Sequence, residues 1–447
     1  MGLRFQDFSK RFEAHFRRWT RSVGAQAQQY LQGLMQARRK NMERMEEVVP
    51  DCDYQSLHHF LSDSEWDART VLDQVAVEAD RHLGGCADSC LLLDESSFAK
   101  KGKKSVGVTR QWSGRLGKVD NCQVAVFAAL ARGSSSTLID TRLYLPQEWT
   151  QDRKRCLAAG VPASQAVFKS KAELALEMVL HARQNGVRFG WVGADGGYGK
   201  DPAFLRGLAD HGEVFVAEVH RDQSIYPEDP APCIPERKAA HGKKPTLLQA
   251  QSASQRVDAW VQAQPSELWQ KIVVRQGTQG ELRVEALRHR VWLWDGSEPK
   301  ARCWHLVATR EIGSVEKVKY ALTNAPAETS LERLVQMQRQ RFWIERSFED
   351  GKSESGLADY QVRGWRAWHH HMALVLMAML FMLEEKLSVQ ESHPLLSCSD
   401  IETLLAHFLP RRDVTVEEVV RQMEARHEAR RKAIESAYRR QQLADSQ

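Results

Sequence analysis

Two short apolar runs each lead into an aspartate, and no other feature of this chain limits its possible folds as much. Cys90-Leu91-Leu92-Leu93 precedes Asp94, and Phe189 to Ala194 precedes Asp195, which Gly196-Gly197 follows. Runs this short, apolar on both alternating faces, read as strands buried on two sides rather than as helices. Ser105 to Trp112, Val119 to Ala131 and Thr137 to Leu145 read as further strands. Lys169 to Gln184 has helical spacing and stops at Asn185-Gly186. A helix near Pro202 to Asp210 and a strand near Val214 to Val219 complete the series. Three strands, then helix, strand, helix, strand, predict an α/β fold with a mixed sheet layered with helices. A carboxylate at the end of a buried strand is held rigidly at the open edge of such a sheet.

At 447 residues the chain is too long for one compact core, and several units are expected. Residues 1–85 read as a helical N-terminal region. Phe5, Phe8, Phe12, Phe16 and Trp19 recur at helical steps with basic residues between them. Such helices suit a DNA-binding module of helix-turn-helix type and equally a plain bundle. Residues 86–220 read as the first part of the α/β core. A Pro-, Gln- and Ser-rich stretch opens a mostly β insertion over 221–309, in which Ile272–Arg275, Leu282–Leu287, Val291–Trp294 and Trp304–Thr309 read as strands. Residues 310–390 return to the core, with a strand at Val318–Leu322, one long helix from Thr329 to Lys352 and an apolar helix near Trp368 to Lys386. Residues 391–447 form a helical, basic C-terminal region.

The formal net charge is +5, and its placement says more than its size. Residues 1–50 carry ten Lys/Arg against five Asp/Glu, so residues 51–447 sum to zero. Within that remainder, Ser96 to Val119 holds Lys100, Lys101, Lys103, Lys104, Arg110, Arg115 and Lys118 with no acid. Such a segment is where phosphate is expected to bind. The eight cysteines are scattered without a C-x-x-C pair, which argues against structural zinc and a disulfide framework. The longest apolar run, Met372 to Leu383, is shorter than the ~20 residues of a membrane span. A protein of the cytoplasm with no membrane partner is expected. His369-His370-His371 point in different directions on a helix and do not make a metal site.

Two strand-end carboxylates beside a lysine cluster suggest hard divalent cations, which take oxygen ligands and keep several waters. A third carboxylate is sought on the Thr329–Lys352 helix. There Arg341, Glu345 and Lys352 fall within about 40° of one another around the axis, with Gln338 close by. Glu349 is the competing candidate.

The sequence at this point resembles the cut-and-paste insertion-sequence transposases of the DDE superfamily, in the branch with a Y-x(2)-R-x(3)-E-x(6)-K signature. QRQRFWIERSFEDGK gives Gln338, Arg341, Glu345 and Lys352 at those spacings, with glutamine where the tyrosine belongs. LDESSFAKKGKKSVGVTRQWSGRLGKVDNCQ is similar to the block around the family's first aspartate, and GADGGYG to the second. GLADYQVRGW, after Lys352, also looks like this branch, and the likeness covers roughly 55–385.

The resemblance implies an RNase H-like mixed sheet with helices on both faces, interrupted by a β-strand insertion. It implies that Asp94, Asp195 and Glu345 hold two Mg²⁺ ions, with Mn²⁺ able to substitute. Lys100, Lys101, Lys103, Lys104, Arg110, Lys118, Arg341 and Lys352 would contact DNA phosphates. Trp292, Trp294 and Trp304 of the insertion are candidates for stacking on a base. Cleavage at a transposon end would free a 3′-OH, which then attacks target DNA without a covalent enzyme intermediate. The implied partner is double-stranded DNA, both terminal inverted repeats and target, bound by a homodimer. A transposase-derived regulator without catalysis and a stand-alone nuclease of the same fold are the alternatives.

Overall fold

A computed structural model describes residues 1–18, 21–236, 244–277, 280–314 and 317–445. Trp19 of the N-terminal aromatic series lies outside them. The principal strands are β1 (Cys90–Ala99), β2 (Thr109–Ser113), β3 (Lys118–Arg132), β4 (Ser135–Leu143), β5 (Trp191–Ala194), β6 (Phe215–Val219), β7 (Gln270–Gly277), β8 (Gly280–Leu293), β9 (Arg302–Glu311) and β10 (Val318–Thr323). They form one ten-stranded sheet in the order β7-β8-β9-β10-β6-β5-β1-β3-β2, with β4 also paired to β3. β1 runs antiparallel to β3 and parallel to β5, and β5 runs parallel to β6. An antiparallel β1-β3-β4 meander followed by two parallel strands on the other side of β1 is the RNase H-like arrangement, here in a mixed α/β fold.

Three details differ from the sequence reading. β1 does not stop at Asp94 but continues to Ala99, because β3 pairs with it along its whole length. Only the parallel partner β5 stops, at the Leu93–Ala194 pair. The strands of the expected insertion lie along one edge of this same sheet, a placement the sequence reading did not resolve. β10 pairs antiparallel with β6, and β9, β8 and β7 follow it outward, so these residues extend the sheet edge to edge. Leu282–Leu287 and Val291–Trp294 belong to the single long strand β8.

The N-terminal helices are α1 (Gly2–Arg11), α2 (Gly24–Gln36), α3 (Met42–Val48), α4 (Tyr54–Ser62) and α5 (Ala68–Leu83). Helices α6 (Lys171–Gln184) and α7 (Pro202–Asp210) connect the parallel strands. The C-terminal part holds α8 (Leu331–Gln340), α9 (Phe342–Glu354), α10 (Trp365–Ser388), α11 (Cys398–Phe408) and α12 (Val416–Asp445). Asp53 and Asp67 cap α4 and α5, each accepting from backbone N–H groups of the first turn. Ser170 closes a capping box with Glu173 on α6.

Helix α10 is apolar all round and is buried accordingly. Phe381 on it receives Phe5 and Phe8 of α1, with ring centroids 5.1 and 5.3 Å away. The N-terminal aromatic face is thus spent on packing against α10. Several N-terminal cations are committed within the fold. Arg4 binds Glu385 at 2.6 Å, Arg11 binds Glu384 at 2.7 Å, and buried Lys40 meets Glu402 at 2.9 Å. The apolar core runs without a break from Phe5 to Leu409. The first turns of α12 are tied to α3 by Arg421–Glu46 and Arg426–Glu47 at 3.1 and 2.8 Å. Among the described residues no helix is long and apolar enough to cross a membrane.

Candidate active site

The register of the parallel strands sets the first two carboxylates side by side. Cys90 to Leu93 pair in order with Trp191 to Ala194, so Asp94 and Asp195 occupy the next position, where the strands diverge. Asp195 turns its carboxylate back to cap the Gly196–Gly199 turn, accepting from the N–H groups of Gly197 at 2.9 Å and Tyr198 at 3.3 Å. Gly199 is required there, since a Cβ would collide with the Glu218 carbonyl of β6. Burial, together with the charge of Asp195, raises the Asp94 pKa to about 7 against the pull of Arg341. Burial also raises Asp195, with Arg341 opposing and Glu95 adding to the rise. Two neighbouring carboxylates that resist ionising together favour a shared cation.

Arg341 is that cation. The expected long helix is broken into α8 and α9, and Arg341 sits at the joint, ending one and starting the other. From there its guanidinium reaches Asp94 at 3.2 Å, Glu345 at 2.6 Å and Glu218 at 3.4 Å. Burial works against its charge, yet Glu218, Asp94, Glu345 and Asp195 together hold its pKa above the ordinary value. Glu345, itself exposed, is thus linked to Asp94 through Arg341, whereas Glu349 faces Arg346 at 3.5 Å. Lys352, one further turn pair along α9, is half-buried. Burial lowers its pKa, Arg115 adds to the fall, and Asp94 opposes it. Gln338, in the place of the signature tyrosine, is buried with neither amide atom hydrogen-bonded.

Two groups were missed in the sequence. Glu218 lies near the end of β6, and the rule that found Asp94 and Asp195, a carboxylate closing a buried run, applies to it as well. Tyr198, inside the second block, has a buried hydroxyl without a hydrogen-bond partner beside the carboxylates. Burial raises its pKa well above the usual value, and the charges of Glu95, Asp94 and Asp195 add to this. Glu95 itself is engaged by Lys171 at 2.7 Å.

The other expected residues are not gathered at the carboxylates. Lys101, Lys103, Lys104 and Arg110 are exposed, and Lys118 pairs with Asp120 at 3.0 Å. Lys100 instead lays its ammonium over the Tyr360 ring, 3.5 Å from the centroid, where burial lowers its pKa to about 8. Trp304 is a core residue packed edge-on against Phe215 at 5.0 Å, so its ring is closed to a base. Trp294 is half-buried and donates to the Glu298 carbonyl at 2.7 Å, and Trp292 is half-buried on β8. All three histidines of the triplet are held neutral by burial, His369 and His370 near 4 and His371 near 3.

Among the described residues no three side chains of histidine, cysteine, aspartate or glutamate stand close enough together to hold a metal ion. The donor chemistry nevertheless fits a hard divalent cation. The set is all oxygen, Asp94 and Asp195 are adjacent, and a guanidinium already occupies the position between Asp94 and Glu345.

Residues 7–281 match the family described as DDE superfamily endonuclease. The chain belongs to that family. The matched stretch contains Asp94 and Asp195 and ends before Glu345. Nucleases of the DDE superfamily work with divalent metal ions. A probable transposase for insertion sequence element IS701 of Microchaete diplosiphon is 30% identical over 164 residues, which is 36% of this chain and 40% of that relative's length. The cryo-EM structure of a piggyBac transposase synaptic complex with hairpin DNA aligns at a TM-score of 0.39 and 10% identity, over 90% of this chain and 75% of the other.

Proposed function

We propose that this DDE-superfamily endonuclease is the transposase of an insertion sequence. Its substrates are the terminal inverted repeats of its element and a target duplex, and it acts as a homodimer on two DNA ends. The observation that carries this reading is the strand register that sets Asp94 beside Asp195, with Arg341 linking Asp94 to Glu345. Asp94, Asp195 and Glu345 would hold two Mg²⁺ or Mn²⁺ ions, which when bound supply an activated water and neutralise developing phosphate charge.

The chain's own residues do the rest. Asp94 and Asp195 are fixed by the sheet and set the position of the reacting phosphate. Glu345 joins them by turning in from α9 as Arg341 gives it up. Arg341 and Lys352 then face phosphate oxygens and stabilise the charge of the transition state. No side chain forms a bond to the DNA, so the 3′-OH freed in the first step can serve as nucleophile in the second.

A supercoiled target plasmid with Mg²⁺ and a donor carrying the element's ends tests the reading. Integration by the wild type, lost in Asp94→Ala, Asp195→Ala and Glu345→Ala with DNA binding retained, is expected. Cutting without joining would identify a nuclease, and binding alone a regulator. Full activity of Glu345→Ala would remove Glu345 from the site.

A further inference from the structure

The β2–β3 hairpin carries three large apolar side chains in the open, on the most cationic stretch of the chain. Trp112 is 55% exposed, Val119 50% and Leu116 41%. Trp112 and Val119 are partners across the ladder and so stand on the same face, which Arg110, two residues earlier, shares. Leu116 lies in the turn, which Gly117 closes at φ 60°. Arg115 beside it is exposed, and no acid occurs from Ser96 to Val119.

The hairpin is anchored from below. The Ser113 hydroxyl meets that of Ser97 on β1 at 2.7 Å, both buried, and the Gln111 side chain donates to the Cys122 carbonyl at 2.9 Å. Its exposed face is therefore presented by a fixed element. A fixed aromatic-aliphatic patch ringed by cations fits a ligand that is both polyanionic and flat-faced, which is the chemistry of a nucleic acid.

The hairpin also leads to the carboxylates. Lys352 is within electrostatic reach of both Asp94 and Arg115, so it forms a step between them. Along β3, Val119 lies opposite Trp112 and Phe127 opposite Asp94. Eight residues of strand span roughly 26 Å, or about eight base-pair steps of B-DNA.

We propose that Trp112, backed by Val119 and Leu116, stacks on a base of the DNA held at the carboxylate centre, within about eight base-pair steps of the bond that is cut. Arg110 and Arg115 hold the flanking phosphates. This rests on the transposase reading only for which DNA is bound. Because Trp112 is exposed, its replacement leaves the fold intact.

The test uses the full chain and duplexes from the element's ends, with a thymine placed in turn at each position of one strand. Permanganate, which attacks unstacked thymines, is expected to mark one position in the wild-type complex. Trp112→Ala should lose that mark and bind about 5- to 150-fold more weakly, the equivalent of one stacked base, while Trp112→Phe keeps both. The salt dependence of binding should be unchanged in Trp112→Ala and reduced by about one ion in Arg115→Gln. Unchanged affinity and unchanged permanganate pattern in Trp112→Ala would overturn the proposal. So would a Trp112→Ala effect confined to self-association of the DNA-free protein, which would mark the face as a contact for a second copy. A wild type that fails in the plasmid assay, yet shows the Trp112-dependent mark, would overturn the transposase reading and leave the stacking role standing.

Discussion

Acid is expected to loosen the grip of the N-terminal bundle on α10, and the share carried by the His371 imidazole can be isolated. His371 is fully buried, with the Tyr30 hydroxyl 2.8 Å from Nδ1 and the Gly356 carbonyl 3.2 Å from Nε2. The neutral ring satisfies both neighbours: Tyr30 donates to Nδ1, and Nε2–H donates to Gly356. A second proton on Nδ1 would force the Tyr30 hydroxyl to turn from donor to acceptor and would leave a charge in a fully buried site. Burial, and then the charge of Lys100, push the pKa down to about 3. In the unfolded chain it returns to about 6.5. The folded state therefore binds this proton less readily than the unfolded one. The resulting stability is complete above pH 6.5 and is lost as pH falls from there towards 3. At pH 5 the loss amounts to about 2 kcal/mol, a large share of the marginal stability of a folded protein. Urea unfolding of the wild type and His371→Gln at pH 7 and pH 5 measures it. The gap between the two proteins should move by about 2 kcal/mol in favour of the variant on acidification. Parallel pH profiles would refute the reasoning.

Other perturbations follow from the same geometry. The Asp94 pKa is raised to about 7 by burial and Asp195, so its ionised form weakens the metal-free fold above pH 7, and the cost fades as pH drops to the unfolded value near 3.8. Asp94→Asn should accordingly be more stable than the wild type, by more at pH 8 than at pH 5, while losing DNA cleavage, with chemical denaturation as the check. Gly199→Ala would push the Asp195 turn off β6 and is expected to cost about 3 kcal/mol and most of the activity, measured by melting and the plasmid assay. Phe381→Ala empties the socket of Phe5 and Phe8 and should cost about 3–5 kcal/mol, with proteolysis beginning in residues 1–16.

How much of this was readable in the sequence depended on whether a signal was local. Asp94 and Asp195 were legible because a buried parallel strand leaves a wholly apolar run that ends abruptly. Arg341, Glu345 and Lys352 were legible because helical spacing survives the break between α8 and α9. The break itself was not, since nothing in QMQRQRFWIE interrupts the helical pattern. Pairings between distant segments left no trace. That β10 would seat on β6, with β9, β8 and β7 beyond it, could not be inferred, since a strand's sequence does not name its neighbour. The ion pairs that absorb Arg4, Arg11 and Lys40 join residues more than 350 positions apart, except for the Arg11–Glu78 contact. A count of N-terminal charge therefore could not show that these three are paired within the fold. Trp304 was misplaced for a related reason: a tryptophan in a strand looks the same in sequence whether it faces Phe215 or solvent.

The run of strands from β7 to β10 has a mechanical consequence. A unit joined to a catalytic core by two linkers can swing, carrying its DNA contacts towards or away from the reacting phosphate. Here the same stretch is hydrogen-bonded into the sheet that holds Asp94 and Asp195, so it moves only as that sheet twists. Whatever DNA it touches is fixed in distance from the carboxylates as marks on a ruler are fixed. If the proposed transposase reading holds, a change of geometry between cutting and joining would fall to the DNA, or to side chains such as Arg341 and Glu345, and not to this part of the protein.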